Sequence, residues 1–364
     1  MVSELTEKTE RLQRMLEREK LGGVLLNAQH NFAWLTGGFS NGIDLSRENG
    51  AASLLVRADG KRYILASNIE MSRMRAEEIL ADDFEPVEYA WQDEKASGSF
   101  VVDKAKELLT SGDIATDYAI ESKIARCRYQ STVNEIGRYR ELGNDAGIAV
   151  RRVIDKITPG ETDREIAETM RHELALGGMT SVVTLVATDD RISQYRHPVP
   201  SEKRWGKTLL LVTCAKRGGL IASLSRMICV GGVPVDLKRK TEATAYVNSC
   251  LLDATRPGVT GAELYRVAAN AYTKKGFSDE ISHHHQGGAT GYRTREWVAH
   301  LQSTEVVQVD QAFAWNPSIT GTKVEETSIL TKHGIEIFTA SPDFPQIANT
   351  VNGREYLSPG ILSV

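Results

Sequence analysis

A chain of 364 residues is longer than one simple hydrophobic core needs, so two domains are expected. Hydrophobic content of 41% and charged content of 25% are those of a soluble globular protein, and a net charge of -4 gives no electrostatic case for nucleic acid or an anionic membrane. The charged start MVSELTEKTERLQRMLEREK lacks a signal core, no apolar run approaches the roughly 20 residues a bilayer requires, and Cys127, Cys214, Cys229 and Cys250 have neither CxxC spacing nor disulfide density. A cytoplasmic location is expected.

In chain order, Leu5, Leu12, Met15 and Leu16 have helical spacing, so an amphipathic helix covers 4–20. GGVLLNA reads as a buried strand and HNFAWLTGG as a strand or loop ending in a glycine turn. AASLLVRADGKRYILAS reads as a hairpin around Ala58-Asp59-Gly60-Lys61, and MSRMRAEEILADD as a polar helix. These segments make an α/β domain, expected over 1–130, and a long helix over 131–156, capped by Ser131 or Thr132, opens a second domain over 131–364.

A repeat follows. ITPGETDREIAETMRHELALGG and RPGVTGAELYRVAANAYTKKGF each hold a Pro-Gly turn, then Thr162 with Glu165 or Thr260 with Glu263. Both pairs have capping-box spacing, in which a Thr side chain and a Glu satisfy free N–H groups at a helix start. Each helix ends at glycine and precedes strand-rich sequence, which suggests an internal duplication with pseudo-twofold symmetry.

Three segments carry candidate chemistry. In SHHHQGGATGY, a strand over 281–287 would put His283 and His285 on one face and His284 on the other, with Gly287 and Gly288 admitting backbone or ligand. His197 in SQYRHPVPSEKRWGK lies in a turn-rich stretch before the strand TLLLVTCA, a place suited to proton transfer near neutral pH. AFAWNPSITGTKVEETSIL reads as two strands around Thr320-Gly321, with Lys323, Glu325 and Thr327 on one face and Val324 and Glu326 on the other. Glu325 and Glu326 therefore cannot share a pocket, and a Lys323–Glu325 surface pair is the plain alternative to a functional role.

The order of these segments resembles the pita-bread family of creatinase, aminopeptidase P, prolidase and methionine aminopeptidase. NFAWLTGG is similar to the creatinase-type N-terminal domain, and ITPGETDREI and RPGVTGAEL match the two duplicated helix starts. The resemblance implies an α/β N-terminal domain followed by an α+β pita-bread domain. Metal-dependent members share two Asp, one His and two Glu ligands. Here LLLVTCAKRGGLIASLSRM puts Val212 or Thr213 at the first Asp and Ser223 at the second. The His matches His285, the first Glu is Asn316 before Pro317, and the second matches Glu325. One His and one Glu are too few donors for a dinuclear centre, so neither a metal nor another cofactor is expected.

Creatinase, a metal-free dimer, is then the nearest functional precedent, and His197 matches its catalytic histidine. The resemblance implies a metal-independent hydrolase or lyase that cleaves a C–N bond in a small polar amino-acid-like substrate, and Ser223 at a position where creatinase holds a guanidinium with an acidic group argues against creatine itself. His197 would shuttle the proton, Glu325 would orient it or hold a cation, and His285, with His283, would polarise a carbonyl. Asn316, Tyr292, Ser223 and Thr213 complete the substrate-binding candidates, and Arg47 of NGIDLSREN could reach the partner's pocket in a homodimer. Two other readings stand beside it: a silent binding module on this scaffold, and a mononuclear metalloenzyme using His283, His285 and Glu325.

Overall fold

The computed structural model describes residues 3–79 and 83–364. It divides into two compact units, Met1–Arg128 and Tyr129–Val364. Among the described residues no helix is long and apolar enough to cross a membrane.

The first unit opens with helix Glu4–Glu19, capped by Ser3, which buries Leu12, Met15 and Leu16. Its mixed sheet has the order β4-β3-β2-β1-β5, from β1 (Leu21–Ala28), β2 (Asn49–Arg57), β3 (Arg62–Ser67), β4 (Glu85–Tyr89) and β5 (Asp113–Thr116). The hairpin β2–β3 pairs antiparallel around the Asp59-Gly60 turn, and its two apolar runs are buried almost throughout. The stretch read as a strand or loop is instead the helix Gln29–Thr36, ended by Gly37 at φ 80°. Its side chains from His30 to Leu35 are all buried, so periodicity could not separate helix from strand there. Of the polar helix expected after β3, Met71–Arg73 is α-helical and Met74–Glu78 forms a π turn; residues 80–82 lie outside the described residues.

The second unit begins with the helix Val133–Lys156, whose cap is Thr132, in a capping box with Glu135. The two repeated helices, Asp163–Leu176 and Gly261–Lys274, start with the boxes Thr162–Glu165 and Thr260–Glu263. Their surroundings repeat as well. Thr162 bridges Arg204 as Thr260 bridges Val306. The backbone N–H groups of Gly160, Asp163 and Arg164 donate to Trp205, Lys203 and Ser201; those of Gly258, Gly261 and Ala262 donate to Val307, Glu305 and Ser303. One hydrogen-bond pattern used twice is difficult to obtain without duplication.

The first half contributes β6 (Thr180–Thr188), β7 (Thr208–Arg217) and β8 (Leu220–Cys229), with β7 between the other two and the strand Ile361–Ser363 pairing parallel with β8 at the far edge. The second contributes β9 (Gly287–Thr290), β10 (Trp297–Val298), β11 (Gln311–Trp315), β14 (Glu326–Thr331) and β15 (Gly334–Ile337), ordered β10-β9-β11-β14-β15. A small hairpin, β12 (Ser318–Ile319) with β13 (Thr322–Lys323), precedes β14. The halves meet where Ser225 N–H donates to Glu325 O (3.1 Å) and Thr327 Oγ1 bonds both the N–H and the carbonyl of Ser223 (2.7 and 2.9 Å). That seam places Glu325 beside β8.

Candidate active site

Four segments distant in sequence converge near this seam. The loop carrying His197 is anchored first. Arg191 pairs with the buried Asp163 at a repeated helix start and donates to Val199 O (2.8 Å), while Ser201 donates to Asp163 Oδ2 (2.7 Å). The loop between them holds His197 with its ring exposed.

The histidine run does not form the expected strand. Ser278–Ser282 is a 3-10 turn, and β9 begins only at Gly287. His283 turns outward toward Glu280 (3.5 Å) and is exposed. His284 and His285 instead stack, ring centroids 4.5 Å apart. Strand alternation thus fails here, and His283 lies outside the cluster it was assigned to. Behind the run, Tyr272 OH donates to Gln286 Oε1 (2.6 Å), and Gln286 Nε2 donates to His284 O (2.5 Å), clamping the His284 backbone. The glycine pair serves backbone packing. A Cβ on Gly287 would lie 2.1 Å from Ala314 O, and one on Gly288 2.1 Å from Trp297 O. Both carbonyls belong to strands flanking β9, so the sheet itself demands glycine.

His284 Nε2 lies 3.2 Å from His197 Nε2, and its Nδ1 lies 3.3 Å from Ser318 Oγ. Arg196 donates to Ser318 Oγ (3.2 Å), Thr320 Oγ1 (2.8 Å) and Glu280 Oε2 (2.5 Å). Guanidinium can only donate, so Ser318 accepts from Arg196 and is free to donate to His284 Nδ1. His284 then carries its proton on Nε2 and donates to His197 Nε2, which is left as an acceptor. This tautomer assignment follows from the hydrogen-bond network. Burial, with Lys323 and the neighbouring imidazoles, pushes His284 down to about 2. His285 keeps an exposed edge, yet burial and Arg295 push it down to about 4. Burial and Lys323 also hold His197 below its ordinary 6.5, opposed by Glu325. All three rings are therefore neutral near pH 7.

These depressed values have a consequence for stability. The unfolded chain takes up protons on these histidines near pH 6.5, whereas folded His285 does so only near 4 and His284 near 2. Between pH 6.5 and 4 the unfolded state binds more protons, so stability is fully present above 6.5 and falls as pH falls. Urea midpoints measured from pH 7.5 to 4.5 are expected to decline less steeply in His284→Asn; equal slopes would disprove the assignment.

Glu325 is buried at 2% exposure, with Arg295 Nη2 3.1 Å from Oε1 and Lys323 Nζ 3.0 Å from Oε2. Burial opposes its ionisation, but Lys323 and Arg295 outweigh that and hold its pKa below the usual carboxylate value. Lys323 and Glu325 do pair, though not on the surface: Lys323 is 6% exposed. Glu325 acts on His197 through its charge, and the hydrogen-bond partner of the His197 ring is His284. Glu326 takes the other side, paired with Arg226 (3.0 Å) and accepting from Thr339.

The β7–β8 register decides between Val212 and Thr213. Cys214 pairs with Ser223 and Val212 with Ser225, so these four share a face. Thr213 pairs with Leu224 on the opposite face and bonds Ser181 Oγ (2.9 Å), which removes it from the substrate-binding set. Ser223 is fully buried and donates to Cys214 Sγ (3.2 Å), whose thiol is raised by burial and by Glu325. Asn316 directly follows β11, donates its N–H to Gln286 O (3.0 Å), and its Oδ1 is buried without a protein partner among the described residues. Tyr292 is also removed: its hydroxyl donates to the buried Glu135 (2.7 Å). Arg47 lies in the first unit, exposed and paired with Asp44 (3.0 Å).

Sequence reasoning missed His284, Arg196, Glu280 and Arg295. His284 was in view but assigned to the wrong face. The two arginines and Glu280 have no local signal that separates them from solvated charges.

A creatinase-type α/β unit followed by a duplicated helix-and-strand unit with its site at the seam defines the pita-bread class. Residues 137–338 match the model of metallopeptidase family M24, and 8–134 match the creatinase/prolidase N-terminal domain. The chain belongs to metallopeptidase family M24, within the creatinase, aminopeptidase P and prolidase group. It is 22% identical over 349 residues to the Xaa-Pro dipeptidase of Pyrococcus horikoshii, covering 92% of this chain and 97% of that one. The structure of the Xaa-Pro dipeptidase from Bacillus anthracis superposes with TM-score 0.75 at 20% identity, covering 93% and 98%. The N-terminal domain of FACT complex subunit SPT16 from chickpea shares the fold at TM-score 0.69 and 12% identity, covering 92% and 96%.

Proposed function

We propose that this chain is a metal-independent hydrolase of the M24 family, cleaving a C–N bond in a small polar amino-acid-like substrate, with His197 as proton shuttle. The observation that carries this reading is the pairing of Glu325 with Arg295 and Lys323. The matched metal site needs carboxylates free to face cations. Here the remaining carboxylate already faces two cations of the protein, and the neighbouring face is made of Val212, Cys214, Ser223 and Ser225. These residues do not fit a dinuclear carboxylate-held metal centre.

In the proposed reaction, water replaces the His284 Nε2–H at the His197 Nε2 lone pair, and that nitrogen accepts the water's proton as the oxygen attacks the substrate carbonyl carbon. The same nitrogen returns the proton to the departing amine as the C–N bond breaks. His284 holds His197 in the acceptor tautomer, and Ser318 and Arg196 hold His284. His285 and Asn316 would contact the substrate's polar groups; the buried Oδ1 of Asn316, without a protein partner among the described residues, supports this. Arg196, Arg295 and Lys323 outnumber Glu280 and Glu325 around the site, which favours a substrate with a carboxylate over one with a guanidinium. This argues against creatine itself.

The test is turnover of a panel of Xaa-Pro dipeptides, N-alkylated amino acids and guanidino compounds by chelator-treated protein. Product formation undiminished by chelator supports the reading, with carboxylate-bearing amides preferred. Turnover that needs added Mn2+ would overturn it, and thermal stabilisation without product would favour a binding module.

A further inference from the structure

We propose that His197, His284 and His285 form a three-imidazole site for a zinc-class divalent ion, and that its occupation silences the proton shuttle. The site shares His285 with the position matched to the family's histidine ligand, but its other two ligands, His197 and His284, lie outside the matched ligand set and none of the three is a carboxylate. One ligand nitrogen from each ring lies within 4.8 Å of the others. Two nitrogens bound to one tetrahedral zinc at about 2.0–2.1 Å sit roughly 3.3 Å apart. The Nε2 atoms of His197 and His284 are already 3.2 Å apart, so these two need almost no movement. The exposed His285 ring, stacked on His284, closes the triangle by a side-chain rotation. Exposure of His197 and His285 gives an ion a path in and leaves a coordination position for water.

The surroundings fit a ligand set as well. A metal-binding imidazole usually has its second nitrogen held by a fixed partner. His284 has this in Ser318 Oγ, 3.3 Å from Nδ1 and itself fixed by Arg196. On binding, the His284 proton would move from Nε2 to Nδ1 and be donated to Ser318. The ring stays neutral, and no net proton is released. Lys323, Arg295 and Arg196 weaken attraction for any cation, while Glu280 and Glu325 offset part of this. A site of neutral imidazoles under net positive potential selects zinc or copper over magnesium or manganese, whose oxygen donors are absent from it. A bound ion occupies the Nε2 lone pair that His197 needs as a base, so ion binding and proton transfer exclude each other.

The experiment titrates ZnCl2 by calorimetry into the full chain, free of a histidine tag and stripped with chelator. One zinc per chain is expected, with binding weakened more than about 100-fold in His284→Ala and about 10- to 100-fold in Ser318→Ala. His285→Asn, at an exposed position that cannot threaten folding, should also weaken it and keeps the test valid if His284→Ala misfolds. Paramagnetic resonance of the Cu2+ form should show nitrogen ligation. No saturable binding, or binding unchanged in the histidine variants, would overturn the site; turnover undiminished with zinc bound would overturn its inhibitory role. Calorimetry needs no turnover, so failure of this site and failure of the hydrolase reading give different results.

Discussion

Replacing His197 with alanine is expected to lower kcat/KM by about 10²- to 10⁴-fold, the usual worth of a positioned acid–base group. The fold should remain intact. The His197 ring is exposed, and its polar contact is with His284 Nε2, so its loss opens no core cavity. The thermal unfolding midpoint is expected to stay close to that of the parent chain. In the parent, the acid limb of the kcat/KM profile should fall below pH 6.5, because burial and Lys323 hold His197 below its ordinary value. Removal of His197 should remove that limb. Full turnover in the variant, on a substrate the parent cleaves, would sink the shuttle assignment.

The largest stability effect is expected from Glu325→Gln. The side chain is nearly isosteric, so packing is kept, but the charge that balances Lys323 and Arg295 is gone. Removing one partner of a buried ion pair typically costs about 3–5 kcal/mol, since the remaining charge stays buried without compensation. For a unit the size of the second one this corresponds to a fall in unfolding midpoint of about 6–20 °C. Adding Lys323→Met should recover part of the loss, because it removes one stranded cation.

The pH dependence gives a second check on the same group. The folded-state pKa of Glu325 is lowered, so its stabilisation is present above the unfolded carboxylate value. It is lost as pH falls through the folded value. The difference between parent and Gln variant should therefore be full at neutral pH and shrink in acid. Equal midpoints at pH 7 would mean that the Arg295–Glu325–Lys323 cluster contributes nothing net.

Local chemistry was readable from the chain. A helix start depends on residues within four positions of each other, so Thr162 with Glu165 and Thr260 with Glu263 could be located without a structure, and the duplication with them, while the structure chose Thr132 over Ser131 as the first cap. The opposite placement of Glu325 and Glu326 follows from the same kind of local rule, since consecutive residues of extended chain point to opposite sides. Such a rule works only where the segment is truly extended, and at 283–286 it is not. There the 3-10 turn before it and the Tyr272–Gln286 clamp rotate His284 toward His197 and turn His283 away. The helix Gln29–Thr36 was ambiguous for a different reason, because a segment buried on every side carries no period.

By itself, then, the sequence pointed to a repeated half and to three separate segments with candidate chemistry, and the family resemblance brought His197, His285 and Glu325 together as candidates. Tertiary structure alone decided which histidine touches His197, that Thr213 and Tyr292 face elsewhere, and that Arg295 and Lys323 neutralise Glu325. The reason is physical. Capping and alternation act over a few residues, whereas the site's charge balance arises where segments near 197, 284, 295 and 325 are brought together by the packing of two half-sheets.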